Sequence, residues 1–126
     1  MSLPATSYDV RIPQLLLEQL SRGEISVSML LAMTFLYRWS DWKTGIVAHT
    51  SAGGLETATR HAYSQRTFQH AMKRLEKMGW ITRHIVPGGR GSFAVTIHNY
   101  KWVDEDGEVR MLNSKPPFNL IGTRVN

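Results

Sequence analysis

The chain of 126 residues contains no cysteine. Disulfide staples, thiol nucleophiles and thiolate metal sites are therefore excluded, and the composition fits a reducing compartment. No apolar run approaches the roughly 20 residues that a helix needs to cross a bilayer, and the opening residues lack a charged-then-apolar leader pattern. A cytoplasmic protein without a membrane partner is expected. The phosphate-loop spacing G-x-x-x-x-G-K is also missing. The glycines of Pro87, Gly88, Gly89, Arg90 and Gly91 fall between two strand-like stretches, whereas phosphate loops join a strand to a helix. His49, His61, His70, His84 and His98 are scattered without metal-ligand spacing, so surface or packing roles suit them better. Asp104, Glu105, Asp106 and Glu108 crowd into one turn without the regular spacing of a cation loop. No enzyme activity, cofactor or metal is expected.

What is present is an ordinary globular balance, with 42% hydrophobic and 20% charged residues, in a length suited to one domain with a core of its own. The formal charge of +5 is unevenly placed. Residues 60–90 hold seven Lys or Arg (Arg60, Arg66, Lys73, Arg74, Lys77, Arg83, Arg90) against Glu76 alone, while residues 101–126 are balanced at four of each sign. Concentrated cationic charge suits a polyanion, although a solvated helical face would look the same by charge alone.

Residues 64–80, SQRTFQHAMKRLEKMGW, carry the strongest pattern. Ser64 is suited to N-cap a helix, and Tyr63 just before it can staple onto Phe68 at the fourth helical position. Phe68, Ala71, Met72, Leu75 and Met78 recur at three- and four-residue spacing and form one apolar stripe to be buried. Gly79 ends the helix. The opposite face carries Gln65, Arg66, Gln69, His70, Lys73, Arg74 and Lys77.

The chain before this helix reads as follows. Residues 1–9 lack periodicity. Pro13 suits the first position of a short helix with Leu15, Leu16, Leu17 and Leu20, closed by Gly23; the leucine run packs on the main body or serves self-association. Residues 25–39 form a nearly continuous apolar stretch, the central scaffold helix. Trp39 and Trp42 bracket its end, closing the core or offering a platform for base stacking. Residues 46–48 suit an edge strand. Thr50 or Ser51 caps the next short helix, with Leu55, Ala58 and Ala62 on one side and two glycines weakening it. A turn over residues 61–63 then leads into the 64–80 helix.

After Gly79, residues 80–86 read as a half-buried strand in which Ile81 and Ile85 alternate with Arg83, and residues 92–100 as its partner, with Phe93, Val95 and Ile97 on one face. Residues 87–91 connect them as a glycine-rich tip carrying Arg90. In the tail, Trp102 and Val103 before the acidic turn, and Val109, Met111 and Leu112 after it, suit a second small hairpin able to extend that sheet. Phe118, Leu120 and Ile121 beyond Pro116 and Pro117 dock on this chain or a partner, or belong to a linker.

This order, with the string Ser64, Gln65, Arg66, Thr67, Phe68 followed by Leu75, Glu76, Lys77, Met78, Gly79, Trp80, Ile81, resembles the winged helix-turn-helix family of bacterial and phage DNA-binding proteins. The resemblance covers residues 25–100. It implies an α+β fold, a winged helix-turn-helix with a three-helix core and a β-hairpin wing; outside it the chain adds an N-terminal arm and short helix (residues 1–24) and a C-terminal hairpin, tail or linker (residues 101–126). It also implies that the second helix of the motif enters the major groove and that the hairpin, or wing, touches the adjacent backbone or minor groove. Ala62 departs from the pattern, standing where such turns usually place glycine.

The residue chemistry agrees with double-stranded DNA as the partner. Arg66 and Gln65 occupy the first turn of the reading helix, where Arg suits guanine and Gln suits adenine. Gln69, His70 and Lys73 lie one or two turns on, within reach of bases or phosphates, and Ser51, Arg60, Thr67, Arg83 and Arg90 are placed for the backbone. Thr67 equally suits helix stabilisation. The expected role is sequence-specific binding in transcriptional regulation or in phage or plasmid replication initiation. The alternative is a protein–protein assembly module, either as a homodimer through the first helix or the tail, or docked on a replication or transcription protein.

Overall fold

A computed structural model describes residues 10–88, 91–103 and 106–114, and over these the chain is mixed α+β, with four helices and two small antiparallel sheets. The expected residues 1–9, Arg90, the tip of the acidic turn at Asp104 and Glu105, and the segment containing Phe118, Leu120 and Ile121 lie outside the described residues.

Helix α1 (Gln14–Ser21) takes Pro13 at its N-cap, one position earlier than the sequence suggests, and Gly23, at φ 75°, turns the chain out of it. The three consecutive leucines divide by helical geometry. Leu16 is buried, Leu15 packs at the edge of the core and Leu17 is 45% exposed. Gln19 is buried as well, and its Oε1 accepts a 2.9 Å hydrogen bond from the indole Nε1 of Trp80. A buried indole N–H and a buried amide oxygen each need a partner, so this pair satisfies both and fastens α1 to the chain just beyond Gly79.

Ser26 caps α2 (Val27–Trp39) by accepting from the Met29 backbone N–H at 3.3 Å. Met29, Ala32, Met33 and Leu36 supply its buried stripe. Trp39 and Trp42 are 36% and 44% exposed, so neither closes the core, whereas Trp80 is buried. The Trp39 ring instead lies 5.4 Å from that of Phe35, and Lys43 Nζ stands 5.1 Å from the Trp42 ring.

Strand β1 (Ile46–Thr50) is the expected edge strand. It pairs antiparallel with β3 (Phe93–Ile97), which also pairs with β2 (Ile81–Ile85), giving the order β1-β3-β2. Val47, Ile81, Val95 and Ile97 form the inner face of this sheet and join Phe68, Ala71, Met72 and Leu75 in one core.

Two expectations change in this region. Ile85 is 90% exposed rather than half-buried: it is the last residue of β2, opposite Phe93, and burial along the strand falls from Ile81 to its end. The strand expected over 92–100 is also broken. It stops at Ile97, and Asn99 takes φ 53°, a left-handed conformation that Asn tolerates better than most residues. The chain then begins β4 (Tyr100–Val103), which pairs with β5 (Val109–Leu112) as the expected second hairpin.

This hairpin forms a sheet of its own and does not extend the first. Its attachment is local: Asn113 Nδ2 donates to the carbonyls of Thr44 at 2.7 Å and Ile97 at 3.1 Å, and the Tyr100 ring stacks near Tyr37. Gly45, at φ 68°, lets Tyr100 lie directly against the backbone, since a Cβ there would stand 2.6 Å from the ring. No helix among the described residues is long and apolar enough to cross a membrane.

Candidate nucleic-acid interface

Helix α3 (Ala52–Ala58) begins at Ser51, whose Oγ accepts from the Gly54 backbone N–H at 2.9 Å. Leu55 is its buried anchor. Ala58 and Ala62 are exposed, because the helix ends before a second turn can align them with Leu55. The ending uses no glycine. Arg60 and His61 both take left-handed backbone angles, φ 56° and 61°, with His61 N–H bonding the Glu56 carbonyl at 2.7 Å and Arg60 N–H that of Thr57 at 3.1 Å. These two bonds form a Schellman-type closure that satisfies the last carbonyls of α3.

Helix α4 (Gln65–Met78) follows as the sequence suggests. Ser64 Oγ accepts from the Thr67 N–H at 3.1 Å, the Tyr63 and Phe68 rings meet edge to face at 5.9 Å, and Gly79 closes the helix at φ 92°. Phe68, Ala71, Met72 and Leu75 are buried. At about 100° per residue, Arg66, His70, Lys73 and Lys77 fall along the middle of the opposite face. Gln65, Gln69 and Glu76 lie on the flank toward β2. Arg74 lies on the other flank, where Nη2 reaches the Glu24 carbonyl at 3.3 Å.

A shallow cleft of about 560 Å³ runs between the start of α3, the outward flank of α4 and the β2–β3 hairpin. Six of the ten residues expected at the site line it: Ser51, Gln65, Gln69, His70, Lys73 and Arg83. The others divide by cause. Arg66 is exposed on the crest of α4, outside the cleft. Arg60 is exposed in the turn between the helices. Thr67 is half-buried, and its hydroxyl lies 3.1 Å from the Ser64 hydroxyl within the helix cap, which fits the stabilising role. Arg90 is outside the described residues.

Arg83 is less available than its charge suggests. Its Nε donates to Glu76 Oε1 at 2.8 Å, its backbone N–H to Glu76 Oε2 at 3.1 Å, and its guanidinium carbon lies 5.5 Å from the Phe93 ring centre. Glu76 thus takes up one cation and one backbone donor of β2, coupling α4 to the hairpin across the Gly79 turn. The sequence signal for this pair is the isolation of Glu76 as the one acid in 60–90.

Sequence reasoning also passed over Gly53, Ser92 and Phe93, which complete the cleft wall. Gly53 lies beside the Gln65 side chain, whose Oε1 stands 3.4 Å from where a Cβ would be. Glu56 was missed too. Its carboxylate bonds His61 Nδ1 at 2.7 Å and accepts the Gln65 backbone N–H at 2.9 Å. The His61 bond, then the Gln65 bond, hold its carboxyl below the usual carboxylate range, against the opposing effect of partial burial.

Chemically, this surface offers amide and hydroxyl groups, an imidazole and cations along one helix and its neighbouring hairpin, with half-buried Phe93 as an apolar wall. No grouping of three or more His, Asp or Glu able to hold a metal occurs among the described residues. In comparison with known proteins, no family model, curated protein or solved structure matches the chain.

Proposed function

We propose that the chain is a winged helix-turn-helix protein that binds double-stranded DNA sequence-specifically, in transcriptional regulation or in phage or plasmid replication initiation. The observation that carries this reading is the convergence of Gln65, Gln69, His70 and Lys73 from α4 with Ser51 and the hairpin on one cleft. In this arrangement α4 enters the major groove with its first turn at the base edges. Gln65 and Arg66 are the readers there, Gln65 from the cleft side and Arg66 from the crest. Lys73, Arg60 and the Ser51 hydroxyl contact phosphates, and the hairpin lies along the adjacent backbone. Arg83 positions the hairpin through Glu76 and contributes less to phosphate contact than an unpaired arginine would.

Anisotropy titrations on duplex DNA across a salt series test the reading. With Arg60, Arg66 and Lys73 all exposed, three phosphate contacts would make log affinity fall against log salt with a slope of about −2.7, since each neutralised phosphate contributes about −0.9. A flat dependence would remove phosphate contact from the reading. Arg66→Ala should cost about 1–3 kcal/mol at one base pair and little elsewhere.

The assembly-module alternative draws on exposed Leu17, Trp39 and Trp42. It would gain over DNA binding if the chain had no duplex affinity at low salt and formed a protein complex that truncation of residues 113–126 abolished.

A further inference from the structure

The turn between α3 and α4 is spanned by a carboxylate that the DNA-binding reading does not use. Glu56 lies in α3, nine residues before Gln65, yet its two oxygens serve both sides of the turn. Oε2 is 2.7 Å from His61 Nδ1, and Oε1 accepts the backbone N–H of Gln65 at 2.9 Å. That N–H is one of the donors at the start of α4 that no helical carbonyl can satisfy. Ser64 takes the N–H of Thr67, so the helix start is held by two side chains, one local and one from the preceding helix.

The backbone between them is not pinned by composition. Arg60 and His61 hold left-handed angles without a glycine, a conformation that persists only where its surroundings enforce it. Meanwhile the exposed Gln65 side chain lies beside Gly53, where a Cβ would stand 3.4 Å from its Oε1, so the hydrogen bond that holds this residue is the one from its backbone N–H to Glu56. An acid in a cationic surface works against polyanion binding unless it has another task, and both oxygens of this one are engaged with the turn.

We propose that Glu56 is the positioning residue of α4: by clasping His61 and the Gln65 N–H, it sets the angle at which Gln65 and Arg66 meet the bases. The inference rests on the DNA-binding reading. Bidentate base contacts demand accurate placement of the side chains that make them, and phosphate contacts by long flexible lysines tolerate more variation. Loosening the clasp therefore reduces discrimination between sequences and leaves the salt dependence unchanged.

The test uses the full chain with Glu56→Ala, Glu56→Asp and Glu56→Gln. A duplex selected from a random pool and a scrambled duplex of the same length serve as probes. Circular dichroism first establishes that each variant is folded. Glu56→Ala should lower the ratio of affinities for the two duplexes by about tenfold or more, the lower end of what one bidentate base contact contributes. Its salt slope should stay that of the unaltered chain, and the Gln65 amide should exchange with solvent faster in the absence of DNA. Glu56→Asp keeps the charge but shortens the reach by one methylene, so it should behave like Glu56→Ala. Glu56→Gln keeps an acceptor for the Gln65 N–H and should retain most of the discrimination.

If Glu56→Ala and Glu56→Gln instead tighten binding to both duplexes by one common factor, Glu56 acts only as a repelling charge and the proposal is overturned. An unchanged Gln65 amide in Glu56→Ala overturns it independently of DNA, and still decides the matter if that variant binds poorly. Absence of salt-dependent duplex binding by the unaltered chain is a separate result, the failure of the DNA reading itself.

Discussion

The Thr50 hydroxyl is buried, with 6% of the residue exposed, and Oγ1 has no hydrogen-bond partner among the described residues. The residue sits where the β1–β3 register shifts between Val47 and Thr50, immediately before the Ser51 cap. A hydroxyl removed from water without a partner costs about 1–3 kcal/mol, whereas a methyl group of the same shape costs nothing of the kind. Thr50→Val should therefore raise the free energy of unfolding by about 1 kcal/mol in urea titrations, with an unchanged slope against urea. A loss of stability would mean that the hydroxyl is satisfied in solution.

Glu56 carries a second residue-scale expectation, this one dependent on pH. A carboxyl held below its unfolded value stabilises the fold when ionised. Its contribution is complete above about pH 4.3, the unfolded value, and is lost as pH falls through the lower folded value. Glu56→Gln should then be less stable than the unaltered chain at neutral pH, with the gap closing in acid. A gap of the same size at both extremes would exclude the charge of Glu56 as its cause.

Among the elements, what was legible in advance is what depends on near neighbours in the chain. The Ser64 cap, the Tyr63–Phe68 staple, the buried stripe of α4, the edge position of β1 and both hairpins follow from short-range spacing and turn chemistry. The misreadings involve partners distant in sequence or backbone states that composition hides. Ile85 shares the strand parity of buried Ile81 yet is exposed at the end of β2, and no local pattern marks where burial along a strand stops. Arg60 and His61 turn the chain in left-handed conformations without a glycine, so the end of α3 and the exposure of Ala58 were hidden. The candidate site shows the same division. Gln65, Gln69, His70 and Lys73 were legible from helical phase, whereas Glu56 and the pairing of Arg83 with Glu76 are products of folding.

The attachment of α1 belongs to this second group, with Gln19 and Trp80 61 positions apart in the chain. Gln19→Leu removes the acceptor that the buried indole N–H uses and should cost about 1–3 kcal/mol. Hydrogen exchange should speed up in α1 before it does in α4. A neutral outcome would mean that apolar packing by Leu15, Leu16 and Leu20 holds the helix without that bond.

At the scale of the whole molecule, the question is whether the net charge of +5 acts as a diffuse field or through particular contacts. Two exposed lysines separate these cases. Lys73 lines the cleft, and Lys101 lies in β4, past the opposite end of β3 from Phe93. Five strand residues span roughly 15 Å, which exceeds the Debye length of about 10 Å at 0.1 M salt. Replacing either lysine with Gln removes the same unit of charge. If binding is local, Lys73→Gln should make the log–log salt slope shallower by about 0.9, and Lys101→Gln should leave it unchanged. Below about 0.01 M salt the Debye length reaches about 30 Å, and both changes should then slow association to a similar degree, because the long-range field steers the encounter even where it makes no contact. Equal effects of the two substitutions at 0.1 M salt would assign the binding to net charge. They would also remove the reason for proposing the cleft, rather than the surface at large, as a DNA-binding site.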